Sequence, residues 1–387
     1  MLALQDFEAL ARARLPRALF GYVAGAAETN LSLRDNLQAF EQWGLVPRVL
    51  RDVSRRTQTI PLFGREHASP FGIAPMGIAA LTAYEGDAVL ARSAERAGIP
   101  FILSGSSLMP MEELLRQAPG SWFQAYLPGD LKRIDALLDR VQSAGVHTLV
   151  ITVDIPVAGN RENNMRAGFS TPLRPSLRLA WDGITHPRWL IGTLMRTLTH
   201  HGMPHFENSF AQRGAPLIAR DVERDFSNRE HLDWDHVTHI RRRWPGELVI
   251  KGVLSVDDAC IAQGLGVDGL IVSNHGGRQL DGAVSALRVL PHIVRAVPSM
   301  PVMLDGGVRR GSDVLKAIAL GARLVFVGRP FNYAAAVAGD AGVARAIELL
   351  RDEVDRDLAM LGVNAPTELD MSFLHSLVQA FPHSNHC

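Results

Sequence analysis

Three things are scarce in this chain of 387 residues, and each scarcity excludes something. Cysteine occurs twice, as Cys260 and Cys387, far apart. Two distant thiols build neither a disulfide framework nor a metal cluster, which points to a reducing, cytoplasmic setting and no resident metal. Net charge is missing too, since 40 Lys and Arg balance 40 Asp and Glu. The electrostatic footprint of a nucleic-acid binder is therefore lacking, and no nucleic-acid partner is expected. Long apolar runs are the third scarcity. No stretch reaches the roughly eighteen residues of a membrane span. The start, Met1 to Glu8, has no basic region followed by a long apolar run, so no signal peptide is expected.

Apolar residues nonetheless make up 47% of the chain, ample for a large core. They come in short runs that end in polar or glycine residues. Phe71 to Ala74 leads into Pro75-Met76-Gly77, and Phe101 to Leu103 leads into Ser104-Gly105-Ser106. Trp122 to Tyr126 and Thr148 to Asp154 follow, then Leu248 to Gly252, Gly269 to Ser273, Pro301 to Gly307 and Leu324 to Arg329. Helical patterns separate most of them, as at Asp87 to Ala97, Leu131 to Ala144, Val256 to Gln263 and Ser312 to Leu320. Strand and helix alternating in this way predict an α/β fold, a single (β/α)8 TIM barrel with strands between about 71 and 329. An open doubly wound sheet is the alternative.

Two segments exceed a minimal barrel of about 250 residues. One is an N-terminal helical extension, punctuated by Pro16 and a small-residue turn from Tyr22 to Glu28. The other is a long insertion after the fourth strand, about 155–247, too long for an ordinary connection and so expected to be functional. The whole chain, 1–387, reads as one domain. In the insertion, Thr171 to Phe206 carries Arg174, Arg178, Arg188 and Arg196 against one acid, Asp182. Pro187 is placed to open a helix whose Leu190, Ile191, Leu194, Met195 and Leu198 form one apolar stripe, flanked by Trp181 and Trp189. Such a basic amphipathic segment suits an anionic membrane surface, and equally a lid or an oligomer contact.

The sequence centres on Gly269 to Gly282, where a buried strand discharges His275 and Arg278 into a glycine-rich turn. A base and a fixed cation at a strand's end is how a barrel presents catalytic groups. Gly264 to Gly269 matches GxGxxG, but it closes a helix and precedes a strand, the reverse of a dinucleotide site. Asp305 to Ser312 and Gly328-Arg329-Pro330 follow the seventh and eighth strands, where barrels commonly bind phosphate. Glycines there admit the anion to backbone N–H groups, and arginines add charge-assisted bonds. His200, His201 and His205 lack a carboxylate or cysteine to complete a metal site.

Ser273 to Asp281 (SNHGGRQLD) and Asp305 to Gly311 (DGGVRRG) resemble the active-site and phosphate signatures of the FMN-dependent 2-hydroxy acid oxidase and dehydrogenase family. The similarity runs from about Leu15 to Gly362. Thr185 to Trp189 and His201 to Pro204 resemble its membrane-associated mandelate and lactate dehydrogenases more than its soluble oxidases. The resemblance implies FMN as cofactor and oxidation of an (S)-2-hydroxy acid to the 2-keto acid. The electrons would go to a membrane quinone, or to dioxygen with release of hydrogen peroxide. It implies that His275 is the base, that Asp154 stabilises its imidazolium, and that Arg278 and Tyr22 clamp the substrate carboxylate, with Arg161 nearby. Tyr126 would bond the 2-hydroxyl, and Lys251 would stabilise negative charge on the flavin. Pro75, Met76, Gly77, Ser104, Gln124, Tyr126, Thr152 and Ser273 match flavin-contacting positions. Asp305, Gly306, Gly307, Val308, Arg309, Gly328 and Arg329 match the phosphate cradle. A homotetramer is implied, as is peripheral contact with the inner face of the cell membrane through about 177–206. One departure matters: Ser106 stands where glycolate oxidase has Trp, and Gly77 where soluble oxidases have Ala, which implies an enlarged pocket. A non-catalytic barrel holding a phosphorylated ligand is the reading from another class, and it does not require His275, Asp154, Arg278, Tyr126 and Lys251 together.

Overall fold

A computed structural model describes residues 1–170, 174, 176–219 and 229–378. Cys387, and Thr171 at the start of the basic half of the insertion, lie outside the described residues.

All eight apolar runs form strands: β1 (Phe71–Ile73), β2 (Ile102–Ser104), β3 (Trp122–Ala125), β4 (Thr148–Thr152), β5 (Glu247–Val253), β6 (Gly269–Val272), β7 (Val302–Asp305) and β8 (Val325–Val327). They are parallel in one sheet, ordered β1-β8-β7-β6-β5-β4-β3-β2. A parallel bridge between Ile73 and Phe101 joins the two ends, so the sheet closes into a barrel and the open-sheet alternative falls. Strands with helices outside and side chains inside are covered on both faces, which is why they read as apolar runs rather than alternations. Alternate residues divide between the two sides. Ile102, Trp122, Val150, Val249, Ile271, Met303 and Phe326 fill the interior, while Leu103, Phe123, Leu149, Ile250, Leu270, Leu304 and Val325 face the helices.

The ring helices are α1 (Gly86–Ala97), α2 (Met111–Gln117), α3 (Leu131–Ser143), α4 (Trp234–Arg243), α5 (Val256–Gly264), α6 (Ala286–Ala296), α7 (Gly311–Ala319) and α8 (Arg329–Leu361). Helix α8 is broken at Ala338 and Gly339. Helix α4 had been counted within the insertion; it packs against α3 as an ordinary ring helix, so the insertion proper ends before Trp234. The short hairpin Ile60–Leu62 with Arg65–His67 was not anticipated. It delivers Ile60 and Leu62 to the barrel's interior cluster.

The insertion needs a correction as well. From Pro187 the chain does turn helical, but Leu190–Met195 is π-helical between Pro187–Trp189 and Arg196–His201. The expected single stripe is split. Trp189 is buried, its indole Nε1 donating to Leu81 O at 2.7 Å, and Leu190 and Leu194 pack on the core with it. Ile191, Met195 and Leu198 face outward, beside Leu177, Trp181 and Ile184 of the helix Leu177–Ile184. A wider helix shifts residues around its axis, so a spacing of 3.6 no longer keeps these apolar residues on one face.

Candidate active site

The carboxyl ends of the strands and the N-terminal extension enclose a cavity of about 1050 Å³, counting its open mouth. Its floor is Ala74 and Phe326, the upper layer of the barrel's interior. Tyr22, Pro75, Met76, Gly77, Tyr126, Thr152, Arg161, Lys251, His275 and Arg278 line it, as do Asp305 to Arg309, Gly328 and Arg329. Four expected residues stand one layer behind. The Ser104 hydroxyl donates to Gln124 Oε1 at 3.2 Å, Asp154 backs His275, and Ser273 sits between Lys251 and His275. Val23, Ser106, Gly276, Val327 and Asn332 complete the wall. Of these, Ser106 alone had been singled out from the sequence.

His275 leaves β6 with φ of 57°, left-handed backbone that a non-glycine residue adopts only when held. Its own N–H donates to Ser273 Oγ at 2.9 Å, and its Nδ1 bonds Asp154 Oδ1 at 2.9 Å. Gly252, at φ 107° beside an irregularity in the β5–β6 pairing, lets Asp154 come this close; a methyl there would lie 2.6 Å from Asp154 Cβ. Burial lowers the His275 pKa below its ordinary value, more than Asp154 raises it, so the imidazole is neutral at neutral pH. Burial works against charge on Asp154, but His275 and Lys251 outweigh it, and the carboxyl stays ionised. A neutral imidazole with a carboxylate on Nδ1 has Nε2 free to accept a proton.

Lys251 is buried, donating to Ser273 Oγ at 2.8 Å and pairing with Asp305 Oδ2 at 2.9 Å. Tyr126 is driven above its ordinary range by burial and by Asp154, so its hydroxyl stays protonated. Arg278 uses Nη1 on Tyr22 O at 2.7 Å and Gly25 O at 2.8 Å, and stands over the Tyr22 ring. Arg161 donates to Arg278 O and Gln279 Oε1. Arg329, expected at the phosphate, spends Nε and Nη2 on Val23 O, Gly25 O and Gly276 O, so it also ties the extension to the barrel.

Burial, with neighbouring guanidinium charge, pulls Arg278 down to about 9 and Arg329 to about 10, and burial lowers Arg309. No ion pair to a carboxylate offsets any of the three among the described residues. Positive charge that is desolvated and unpaired calls for anionic ligands. An FMN molecule fits this demand. Gly306 and Gly307 have φ of 98° and 85°, a backbone that brings N–H groups to an anion, and they adjoin Arg309. Gln124 Nε2 and Asp305 Oδ1 are buried without a hydrogen-bond partner beneath the cavity, polar atoms suited to a heteroaromatic ring.

Residues 11–376 match the family model described as FMN-dependent dehydrogenase. The chain is 38% identical to (S)-mandelate dehydrogenase of Pseudomonas putida, over 96% of its own length and 93% of that protein's. It is 39% identical to L-lactate dehydrogenase of Xanthomonas euvesicatoria, over 96% of each chain. A solved structure of monotopic membrane protein (S)-mandelate dehydrogenase superposes with a TM-score of 0.89 at 36% identity, covering 97% of this chain and 99% of that one. This chain belongs to the FMN-dependent dehydrogenase family. It is a flavoprotein of the 2-hydroxy acid dehydrogenase class, an oxidoreductase acting on a CH–OH group.

Proposed function

We propose that the protein oxidises an (S)-2-hydroxy acid of the mandelate or L-lactate type to the 2-keto acid and hands the electrons to a membrane quinone. The observation that carries the chemistry is the set of unpaired guanidiniums sharing one cavity with the His275–Asp154 pair. Two anions answer it: the FMN phosphate against Gly306 to Arg309, and the substrate carboxylate against Arg278. FMN, once bound, supplies the two-electron acceptor. Arg278 turns Nε and Nη2 to the carboxylate, helped by the Tyr22 hydroxyl, with Arg161 at the edge. Tyr126 holds the 2-hydroxyl. His275 takes the proton from the α-carbon or hydroxyl at Nε2, and Asp154 stabilises the resulting imidazolium. Lys251, lining the cavity, would offer positive charge to stabilise the reduced flavin. Gly77 and Ser106 wall one corner together, where a methyl on Gly77 would lie 3.1 Å from Ser106 Cβ and 3.5 Å from the Tyr22 hydroxyl. The two residues abut at that corner, and being small neither projects far into the cavity, whose volume is left to a phenyl or similar group.

The membrane part of the reading rests on the outward face of the insertion. No helix among the described residues is long and apolar enough to cross a bilayer. Yet Leu177, Trp181, Ile184, Ile191 and Met195 are each more than half exposed, and Arg178, Arg188 and Arg196 stand among them. Apolar side chains ringed by cations suit shallow insertion into the anionic inner leaflet. A tetramer is part of the same reading, checked by light scattering. The acceptor is tested by comparing turnover with a short-chain quinone and with dioxygen. Quinone should be reduced at least about tenfold faster; peroxide formed at the rate of acid oxidation would make the protein an oxidase.

A further inference from the structure

One buried amide joins the N-terminal extension to both working loops of the site. Asn36, in the helix Leu31–Glu41, is 1% exposed. Its Nδ2 donates to Asn274 Oδ1 at 2.8 Å, and its Oδ1 accepts from Asn274 Nδ2 at 2.9 Å. Asn274 directly precedes His275. Its Oδ1 also accepts from the Gly277 N–H at 3.1 Å, and its Nδ2 also donates to Val284 O at 3.2 Å. On its other side Asn36 meets the turn after β7. A methyl on Gly307 would lie 2.1 Å from Asn36 O, and one on Gly306 3.5 Å from Asn36 Nδ2.

We propose that Asn36 is a positioning residue for the oxidation: acting through Asn274, it fixes the His275 loop against the Gly306–Gly307 turn, and so the base against the flavin. The proposal rests on the roles read above for His275 and for the phosphate turn. A reciprocal amide pair makes two bonds in one plane and has a single correct orientation, since flipping one amide sets oxygen against oxygen. Such a coupler transmits position without carrying charge. It also helps explain how His275 keeps left-handed backbone, because strain of that kind persists only where the surroundings over-determine it. Neighbouring contacts seat the helix: Asp35 pairs with Arg288, Asp281 accepts from Thr29 and Ser32, and Lys316 donates to Phe40 O.

Two variants of the holoenzyme test this, alongside His275→Asn. Asn36→Leu removes the pair. A displaced base should cost kcat about tenfold to a hundredfold, with KM changing less. FMN affinity, read by fluorescence on reconstitution, should change less than kcat, since Gly307 packs against the Asn36 backbone, which leucine keeps, and only the approach of Nδ2 to Gly306 is altered. Asn36→Asp is nearly isosteric. Ionised, it sets a carboxylate oxygen against Asn274 Oδ1; protonated, its O–H and C=O reproduce the amide's donor and acceptor. Burial raises such a carboxyl's pKa. The charged groups around it are Asp35 and Arg288, Asp281, Lys316, Asp305 and His275. Lowering the pH should therefore raise the Asn36→Asp to wild-type ratio of kcat, a trend that a purely structural role would not give. A kcat within about twofold of wild type in Asn36→Leu would overturn the proposal. A ratio flat with pH would do so as well, and it decides the matter if the Leu variant fails to fold. Full turnover in His275→Asn would instead strike at the base on which the proposal rests.

Discussion

Arg278 turns two of its hydrogen-bonding edges to different tasks. Nη1 is committed to the carbonyls of Tyr22 and Gly25, which fixes the plane of the guanidinium and leaves Nε and Nη2 for a carboxylate. Lysine cannot reproduce that fork. Arg278→Lys should raise KM and lower kcat together, because the proposed clamp would also align the α-carbon; steady-state kinetics within about twofold of wild type, under roughly 0.5 kcal/mol, would remove the role. As the proposed base, His275 accepts a proton only when neutral, and burial lowers its pKa. The kcat/KM profile should therefore fall on the acid side with an apparent pKa below about 6.5. Asp154 raises that pKa, so Asp154→Asn should move the acid limb lower still and cut kcat about 10²- to 10⁴-fold. An unmoved limb would detach Asp154 from His275. Ser106→Trp should fill the corner shared with Gly77 and reverse a preference for (S)-mandelate over glycolate, which burial of a phenyl group sets at about thirtyfold. At this scale much was legible. His275 and Arg278 follow the end of β6 and Asp305 ends β7, where apolar composition gives way, whereas Lys251, inside β5, was marked by the family resemblance. Asn36 was invisible because its partner lies 238 positions away and nothing local distinguishes it from a surface amide.

Among the elements, the insertion shows where pattern and structure part. Its apolar residues are regularly spaced, but spacing cannot tell which are spent on the protein's own core. Trp189, Leu190 and Leu194 go inward because loop and helix Ala79–Thr82 offer a surface and a carbonyl, Leu81 O. Only the outward set remains for a bilayer. Replacing Trp181, Ile191 and Met195 together by Gln leaves the buried face alone. Co-sedimentation with anionic vesicles should fall at least about tenfold, each lost side chain being worth on the order of 1.5–3 kcal/mol when fully buried, while kcat with a soluble acceptor stays at the wild-type value. Vesicle binding unchanged by these substitutions would assign the patch to a lid or a subunit contact. The hairpin Ile60–Leu62 with Arg65–His67 escaped notice for another reason. Three-residue strands carry too few alternations to stand out, and this one is defined by the barrel interior it enters.

For the whole molecule, the barrel was readable because a closed parallel sheet forces apolar runs at every strand, eight times over, with helices between. What the repetition does not display is how the N-terminal extension takes part. It contributes Tyr22 to the cavity and backbone carbonyls of Tyr22, Val23 and Gly25 to Arg278 and Arg329, and it lays Asn36 across two loops. Catalysis in this account belongs to the barrel and the extension jointly. The most direct test is anaerobic mixing of the purified flavoprotein with (S)-mandelate, L-lactate or glycolate while the visible absorbance of FMN is followed. Wild type should bleach, fastest with the larger acids, and His275→Asn should stay yellow with FMN bound, bleaching slower by at least about 10²-fold. Bleaching of His275→Asn at the wild-type rate, or a wild-type protein that no 2-hydroxy acid bleaches, would contradict it.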